Sequence, residues 1–323
     1  MRSVAERPVV PVLETLPRTR IAAPLGLVIA AFAAVYLIWG STYLGIRLAI
    51  DSIPPFLMAG TRFVLAGAIL YSVMRLRGAP RPSREQWLGA TIVGGLLLLA
   101  GNGGVSWAQQ TVPSGIAALM VAATPLWIML VDWLRPNGTR PTASILAGLF
   151  VGFIGVGVIV ASRSQLGHRL VEPLAAAVLV FATVSWALGS VYSRHAQKPA
   201  SALLGVSMQM LTGGALQLLA GVLLGETRGF DPARITATSA WALVYLTLIG
   251  SLVGFTAYVW LLQVSTPARV STYAYVNPLI AVLLGHLVLN EEVPGAVALA
   301  GALILAAVIL ITRKATVTTK PTA

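Results

Sequence analysis

Pro141-Thr-Ala-Ser-Ile-Leu-Ala-Gly148 returns as Pro294-Gly-Ala-Val-Ala-Leu-Ala-Gly301, keeping Pro, Ala, Leu, Ala and Gly in register 153 residues later. That offset is close to half of the 323-residue chain, and each copy opens a long apolar segment that ends in arginine, at Arg163 and Arg313. Weaker echoes follow in the same order. Gly40-Ser41-Thr-Tyr43 answers Gly189-Ser190-Val-Tyr192, with Trp39 and Trp186 just upstream. Ala66-Gly67-Ala68 answers Gly213-Gly214-Ala215, and Gln109-x-x-x-Pro113 answers Gln263-x-x-x-Pro267. Any one of these echoes would mean little in so biased a composition, but in sequence they indicate a duplicated set of segments.

The segments are membrane spans. Hydrophobic residues make up 57% of the chain and charged residues only 10%, against about 25% charged in a soluble domain. Ten apolar runs are long enough to cross a bilayer: Pro24–Leu48, Pro55–Met74, Gln86–Ala108, Pro113–Leu134, Thr142–Ala161, Pro173–Tyr192, Ser201–Leu224, Ser239–Leu262, Pro267–Leu289 and Gly295–Thr312. Short polar joints separate them and leave no room for a soluble catalytic or DNA-binding domain. The expected fold is an all-α membrane protein whose ten transmembrane helices form two five-helix repeats. Five is odd, so the second repeat enters the membrane inverted relative to the first. The expected division is a disordered cytoplasmic tail (1–23), a first repeat (24–163), a second repeat (164–313) and a cytoplasmic C-terminal tail (314–323).

Charge sets the orientation. With the N-terminus inside, sixteen of the 22 Lys and Arg fall in cytoplasmic segments and five (Arg47, Arg163, Arg169, Arg228, Arg234) in outer ones, with Arg62 left within a span. The positive-inside rule therefore places both termini in the cytoplasm. The same distribution explains the net charge of +12 without nucleic acid as a partner. The absence of cysteine removes disulfide and thiolate chemistry. His168, His195 and His286 lack metal-ligand spacing, and no metal or cofactor is expected.

Spans four and nine carry the strongest local signal. Each begins at proline (Pro113, Pro267) and holds a second one inside, at Thr124-Pro125 and Asn277-Pro278. An internal proline removes one backbone hydrogen bond and clashes with the carbonyl four residues back, here that of Val121 or Ala274. At 1.5 Å per residue these breaks fall roughly 17 Å into the membrane, where freed carbonyls need a protein, water or substrate partner. Pro125 and Pro278 are thus candidate hinges, with simple packing kinks as the competing reading.

Polar and aromatic residues gather at similar depth: Trp39, Ser41 and Tyr43 on span one, Asn102 on three, Thr124 on four, Trp186 and Ser190 on six, Tyr258 on eight, and Tyr273 and Asn277 on nine. With Arg62 on span two, these are the candidate substrate-binding residues, since flat apolar faces beside a few hydrogen-bonding groups suit a small ligand. For each aromatic alone, interface anchoring or packing is the competing role. Arg62 either holds a substrate carboxylate or pins backbone carbonyls. Asn102 stands among Gly101, Gly103 and Gly104, which either bring helices close or loosen span three. Gly148, Gly152, Gly155 and Gly157 form a small-residue face on span five, read as packing within the bundle. No Asp or Glu lies near a span centre, so the usual carboxylate proton relay is missing.

The run IWGSTYLGIRLAIDSIPPFLMAGTRF, the TPL of span four and STYAYVNPLIAVLLGHLVLNEE of span nine resemble the drug/metabolite transporter superfamily. Within it they resemble the EamA-type ten-helix exporters and their YedA-like branch. The resemblance covers about Ala30 to Arg313. It implies a 5 + 5 inverted-repeat fold in the bacterial inner membrane and efflux of small metabolites, often amino acids, from the cytoplasm. Trp39-Gly40-Ser41, Arg62, Thr124-Pro125 and Asn277-Pro278-Leu279 match the family pattern. Many relatives end both span four and span nine in Gly-Glu, whereas this chain has Leu134-Arg135 after the first and Asn290-Glu291 after the second.

These readings converge on a secondary transporter that exports small metabolites by alternating access between its halves. A passive channel is the alternative, though no filter motif or charged ring is present. An intramembrane enzyme acting on lipid is another, though no acid pair, metal cluster or activated nucleophile is visible. The expected partners are a small-molecule substrate and the lipid bilayer. One chain holds both halves, so a monomer suffices and a dimer is possible.

Overall fold

The computed structural model describes residues 23–135, 142–162, 171–265, 267–270 and 272–315. The expected tails lie largely outside the described residues, as do Pro141 and Arg163 at the ends of span five. Every regular element among the described residues is helical, and the helices form ten rods. They are α1 (Leu25–Ala49), α2 (Pro55–Leu76), α3 (Arg84–Ala108), α4 (Ser114–Leu134), α5 (Ala143–Ala161), α6 (Pro173–Tyr192), α7 (Ala202–Leu223), α8 (Ala237–Val264), α9 (Tyr273–Leu289) and α10 (Gly295–Ala315). Seven of them are long and apolar enough to cross a bilayer, and α5, α9 and α10 contain shorter apolar stretches. Large apolar side chains such as Leu37, Phe150, Trp241 and Leu287 stand exposed on the outside of the bundle, as expected of a surface that faces lipid rather than water.

Local chemistry explains the helix starts. Pro55 and Pro173 occupy first-turn positions, where a missing N–H is harmless. Ser83 and Gln86 form a reciprocal capping box at α3. Three rods are irregular inside. α3 widens to a π-helix over Gly95–Gly103, and α8 does so over Leu246–Val253. α4 breaks at Ala122–Ala123 between its Ser114–Val121 and Thr124–Leu134 segments.

Pro125 sits at the start of the second α4 segment, as its geometry requires. Pro278 behaves differently. α9 runs through it from Tyr273 to Leu289, and a short helix, Pro267–Val270, precedes α9. The interruption in span nine therefore lies before Tyr273, not at Asn277-Pro278. Close packing accounts for the intact helix. A Cβ added at Gly40 of α1 would lie 2.7 Å from Ile280 Cβ and 3.2 Å from the Asn277 carbonyl oxygen, so α1 braces α9 at the proline.

The packing has one organising property. α2 lies along α7, α5 along α10, and the first segment of α4 against α9. α1 packs on α8 and α9, while α6 packs on α3 and α4. Renaming every helix by its counterpart five places along the chain leaves these principal pairings unchanged, while α1 against α4 and α4 against α10 have no equal in the other half. The α2–α7 seam is especially tight, because a Cβ at Gly67 would sit 2.8 Å from the Leu211 backbone nitrogen. On α5, Gly155 serves the same purpose against the Ala300 carbonyl of α10, whereas Gly157 has open space.

Candidate functional site

Four rods bring their polar and aromatic residues together beside the π-helical stretch of α8. Trp39 of α1 lies 5.1–5.2 Å, ring centre to ring centre, from Phe255, Tyr258 and Tyr273. Tyr258 and Tyr273 meet edge to face at 5.8 Å. The Trp39 indole donates to the Gly250 carbonyl (3.2 Å), and Gly254 leaves the space in which the ring sits. Arg62 of α2, only 3% exposed, reaches the same stretch and donates from Nε to Ser251 Oγ (2.9 Å). The Ser251 hydroxyl in turn donates to the Leu246 carbonyl (3.0 Å). Arg62 Nη1 is buried with no hydrogen-bond partner among the described residues. Ser41 shares a 2.5 Å hydrogen bond with the Tyr245 hydroxyl and also contacts the Leu37 carbonyl (2.7 Å).

The second half has a sparser counterpart. Trp186 of α6 packs on Gly101 in the π-helical stretch of α3, where a Cβ would lie 2.8 Å from Cε3 of the indole. Gly101 and Gly254 stand 153 residues apart, the same offset as the opening repeat. Carbonyls of this π-helical stretch accept from neighbouring helices: Leu96 from Ser185 (3.0 Å) and Leu98 from Gln217 (2.7 Å). Asn102 lies here with a buried, unpartnered side-chain oxygen. Ser190 is half-buried one turn along α6 from Trp186.

The remaining candidates have other positions. Thr124 donates to the Val121 carbonyl (2.6 Å), the acceptor that Pro125 leaves unbonded, so its hydroxyl satisfies the break. With its amide oriented to donate, the buried Asn277 reaches the carbonyls of Tyr36 (3.2 Å) and Tyr273 (3.1 Å). It therefore ties α9 to α1 next to the aromatic cluster. Tyr43 packs against the largest apolar cluster, to which α4, α5, α6 and α10 contribute. Trp39, Ser41, Arg62, Tyr258, Tyr273 and Asn277 thus cluster, Asn102, Trp186 and Ser190 lie on the other side, and Thr124 and Tyr43 belong to the α4 region.

Sequence reasoning missed several groups. Phe255, Tyr245, Ser251 and Gln217 carry no mark beyond their residue type. It also missed a cavity of about 440 Å³ at one rim of the bundle, lined by Arg47, Asp51, Gln110, Thr111, Thr236 and Glu291 among others. Its size suits a small ligand, and its walls bear both signs of charge. At this rim α1, α3, α7 and α9 end, and α2, α4 and α8 begin.

Comparison with known proteins supplies the context for this geometry. Residues 25–161 and 173–313 match the EamA-like transporter family. The inner membrane transporter YedA of Escherichia coli (strain K12) is 37% identical over 283 residues, which cover 87% of this chain and 89% of YedA. A probable terminal-alkyne amino-acid exporter of Streptantibioticus cattleyicolor is 28% identical over 279 residues, or 85% of this chain and 90% of that one. A chain of known crystal structure superposes with a TM-score of 0.61 at 23% identity, covering 90% of this chain and 99% of its own length, which shows a shared fold. The named relatives are membrane transporters, the apolar helices make this a multi-pass membrane protein, and this chain belongs to the EamA-like transporter family.

Proposed function

We propose that this protein is a secondary carrier that exports small metabolites, amino acids or related compounds, from the cytoplasm by alternating access. Two inverted repeats, 24–163 and 164–313, exchange conformations around a central site. One observation carries the reading: the principal helix pairings map onto one another when the two halves are exchanged. A bundle with that property has a second, nearly equivalent packing open to the opposite side. The broken α4 and the interruption before α9 supply places to bend.

Substrate sits between the Trp39–Tyr258–Tyr273 cluster and the Trp186 side, with aromatic faces for its apolar part. Arg62 Nη1, buried and without an acceptor among the described residues, takes a carboxylate. The bias of Lys and Arg sets both termini in the cytoplasm, which puts the 440 Å³ rim cavity on the outer face. The named exporter of a terminal-alkyne amino acid among the relatives fits a substrate of this class.

The test is a comparison of culture media. Cells expressing the chain and cells expressing an Arg62→Gln, Asn277→Ala double variant, at matched membrane abundance, are profiled by untargeted mass spectrometry. A small set of metabolites enriched only by the native chain supports export through this site. Identical media at matched abundance, repeated with reconstituted protein and a panel of amino acids, would refute it.

A further inference from the structure

Two glutamates at the cavity rim repeat one local design. Glu226 follows Gly225 (φ 80°), and Glu291 follows Asn290 (φ 54°). The left-handed residue turns the chain so that the glutamate N–H returns to a glycine carbonyl of the helix just ended, Gly221 (2.8 Å) or Gly285 (3.1 Å). That glycine also makes room for the carboxylate: a Cβ on Gly221 would lie 3.0 Å from Glu226 Oε2, and one on Gly285 would collide with Glu291 Oε2. The carboxylate then crosses to the start of the neighbouring rod. Glu226 accepts from the backbone N–H groups of Phe56 (3.2 Å) and Leu57 (2.9 Å) in α2. Glu291 accepts from those of Ser114 (2.6 Å) and Gly115 (3.0 Å) in α4. Neither α2 nor α4 has a side-chain cap of its own. Each carboxylate therefore satisfies two orphan donors and opposes the positive helix end.

The opposite rim keeps the turn and drops the acid. Gly78 (φ 84°) stands 147 residues before Gly225, and the Ala79 N–H returns to Met74 O (3.0 Å) as that of Glu226 returns to Gly221. Alanine replaces the glutamate, and α7 begins on its own Ser201 cap. Among the described residues, a carboxylate that caps the start of a neighbouring rod is therefore found on one face, while the opposite rim ties α4 to the end of α6 by the Asp132–Arg194 pair (3.9 Å) instead.

The two clamps differ in what they hold. α2 and α7 are locked along their length by glycine contacts at Gly60, Gly67 and Gly214, so Glu226 staples a pair that is already fixed. α9 packs on the first segment of α4, up to the break at Ala122–Ala123, and Glu291 also lines the cavity. We propose that Glu291 is a one-sided latch, a positioning residue whose charged cap on α4 holds the cavity rim closed and whose release opens it. This rests on the alternating-access reading.

The chain has no cysteine, so a single introduced thiol reports cleanly. Ser114 is fully buried between α4 and α9, within 2.9 Å of where a Gly285 Cβ would stand. In a Ser114→Cys background, labelling by a membrane-impermeant maleimide from outside should rise about fivefold on Glu291→Gln, the factor that corresponds to a charged helix cap of ordinary strength. Glu291→Asp should restore part of the protection, and Glu226→Gln should lower thermal stability but leave labelling unchanged. If Glu291→Gln does not reach the membrane, Gly285→Ala keeps the acid, crowds it off α4, and should act in the same direction. Labelling at the parent rate in the Glu291→Gln or Gly285→Ala protein would overturn the latch, as would an equal rise in Glu226→Gln. A fivefold rise alongside a metabolite profile identical to that of empty cells would leave the latch standing and sink the carrier reading instead.

Discussion

Replacing Gly254 by alanine tests whether the Trp39 cluster is a fitted site or incidental packing. The new Cβ would lie 2.5 Å from Trp39 Nε1 and 3.0 Å from Cδ1, whereas ordinary contact distance is about 3.5–4.0 Å. The indole must withdraw by about 1 Å, which breaks its 3.2 Å hydrogen bond to the Gly250 carbonyl. Two losses follow: overpacking of about 1–3 kcal/mol and a net hydrogen-bond loss of about 1 kcal/mol. Against them stands a helix-propensity gain of about 0.5–1 kcal/mol from removing glycine. Overpacking wins, and the protein should lose about 1–3 kcal/mol. Thermal unfolding of purified protein, followed by loss of the monodisperse chromatographic peak, reads the stability, and initial export rates read the site. Adding Trp39→Phe should restore stability to the Gly254→Ala protein, because the smaller ring vacates the space that the methyl needs. Strict additivity of the two substitutions would refute the argument, since groups in contact must couple. So would an unchanged melting profile in Gly254→Ala alone.

Other consequences can be read on the same preparations. Asn277→Ala removes the two donors that tie α9 to the Tyr36 and Tyr273 carbonyls; initial export rates should fall about tenfold for the loss of about 1–2 kcal/mol, with abundance retained. Thr124→Val leaves the Val121 carbonyl unsatisfied at the α4 break and should lower stability by about 1–2 kcal/mol, whereas Thr124→Ser, which keeps the hydroxyl, should melt like the native protein. Gly67→Leu drives a side chain into the Leu211 backbone and should abolish membrane accumulation on a quantitative blot. Gly157→Ala, with open space around it, should leave accumulation unchanged and raise stability by about 0.5–1 kcal/mol.

The helices were legible because their ends are written in local chemistry. Proline and short polar joints mark the starts, and the span boundaries read from sequence fall within one to three residues of the rods at nearly every end. The break at Pro125 was legible for the same reason, since a missing N–H is a local fact. The interruption before Tyr273 was not. Pro278 was the visible signal, but α1 packs so closely at Gly40 that the helix tolerates its proline. The π-helical stretches of α3 and α8 were also hidden. Their carbonyls are satisfied by Ser185, Gln217 and Trp39 from other rods, and such partners are invisible along a single chain. Glu226 was missed because Phe56 and Leu57, its partners, lie some 170 positions earlier. Of the cluster around the α8 stretch, the residues with distinctive chemistry (Trp39, Arg62, Asn277) stand out in the sequence, and those placed there only by position (Phe255, Ser251) do not.

The two halves share their packing but not their charges, and that difference bears on direction. Arg62 sits at the π-helical stretch of α8, while the neutral Gln209 holds the matching place in the repeat. Glu226 and Glu291 cap helices at one rim, and Ala79 follows the equivalent turn at the other. In a bundle of two equal halves the inward and outward shapes would have equal energy, and an empty carrier would divide its time evenly between them. Of these caps only that of Glu291 joins rods that the cycle parts, and at ordinary strength of about 1 kcal/mol it shifts that balance about fivefold towards the state in which the cap is made. In the proposed cycle the resting carrier therefore waits open to the cytoplasm, the side on which an exporter must meet its substrate. In that proposed cycle a substrate carboxylate on Arg62 would add interactions on the α8 side alone, which makes binding lopsided. Only a ligand that favours one shape can shift the population at all, and a proposed site whose buried cation, the single one among the described residues, lies in one half meets that requirement where a symmetric site would not.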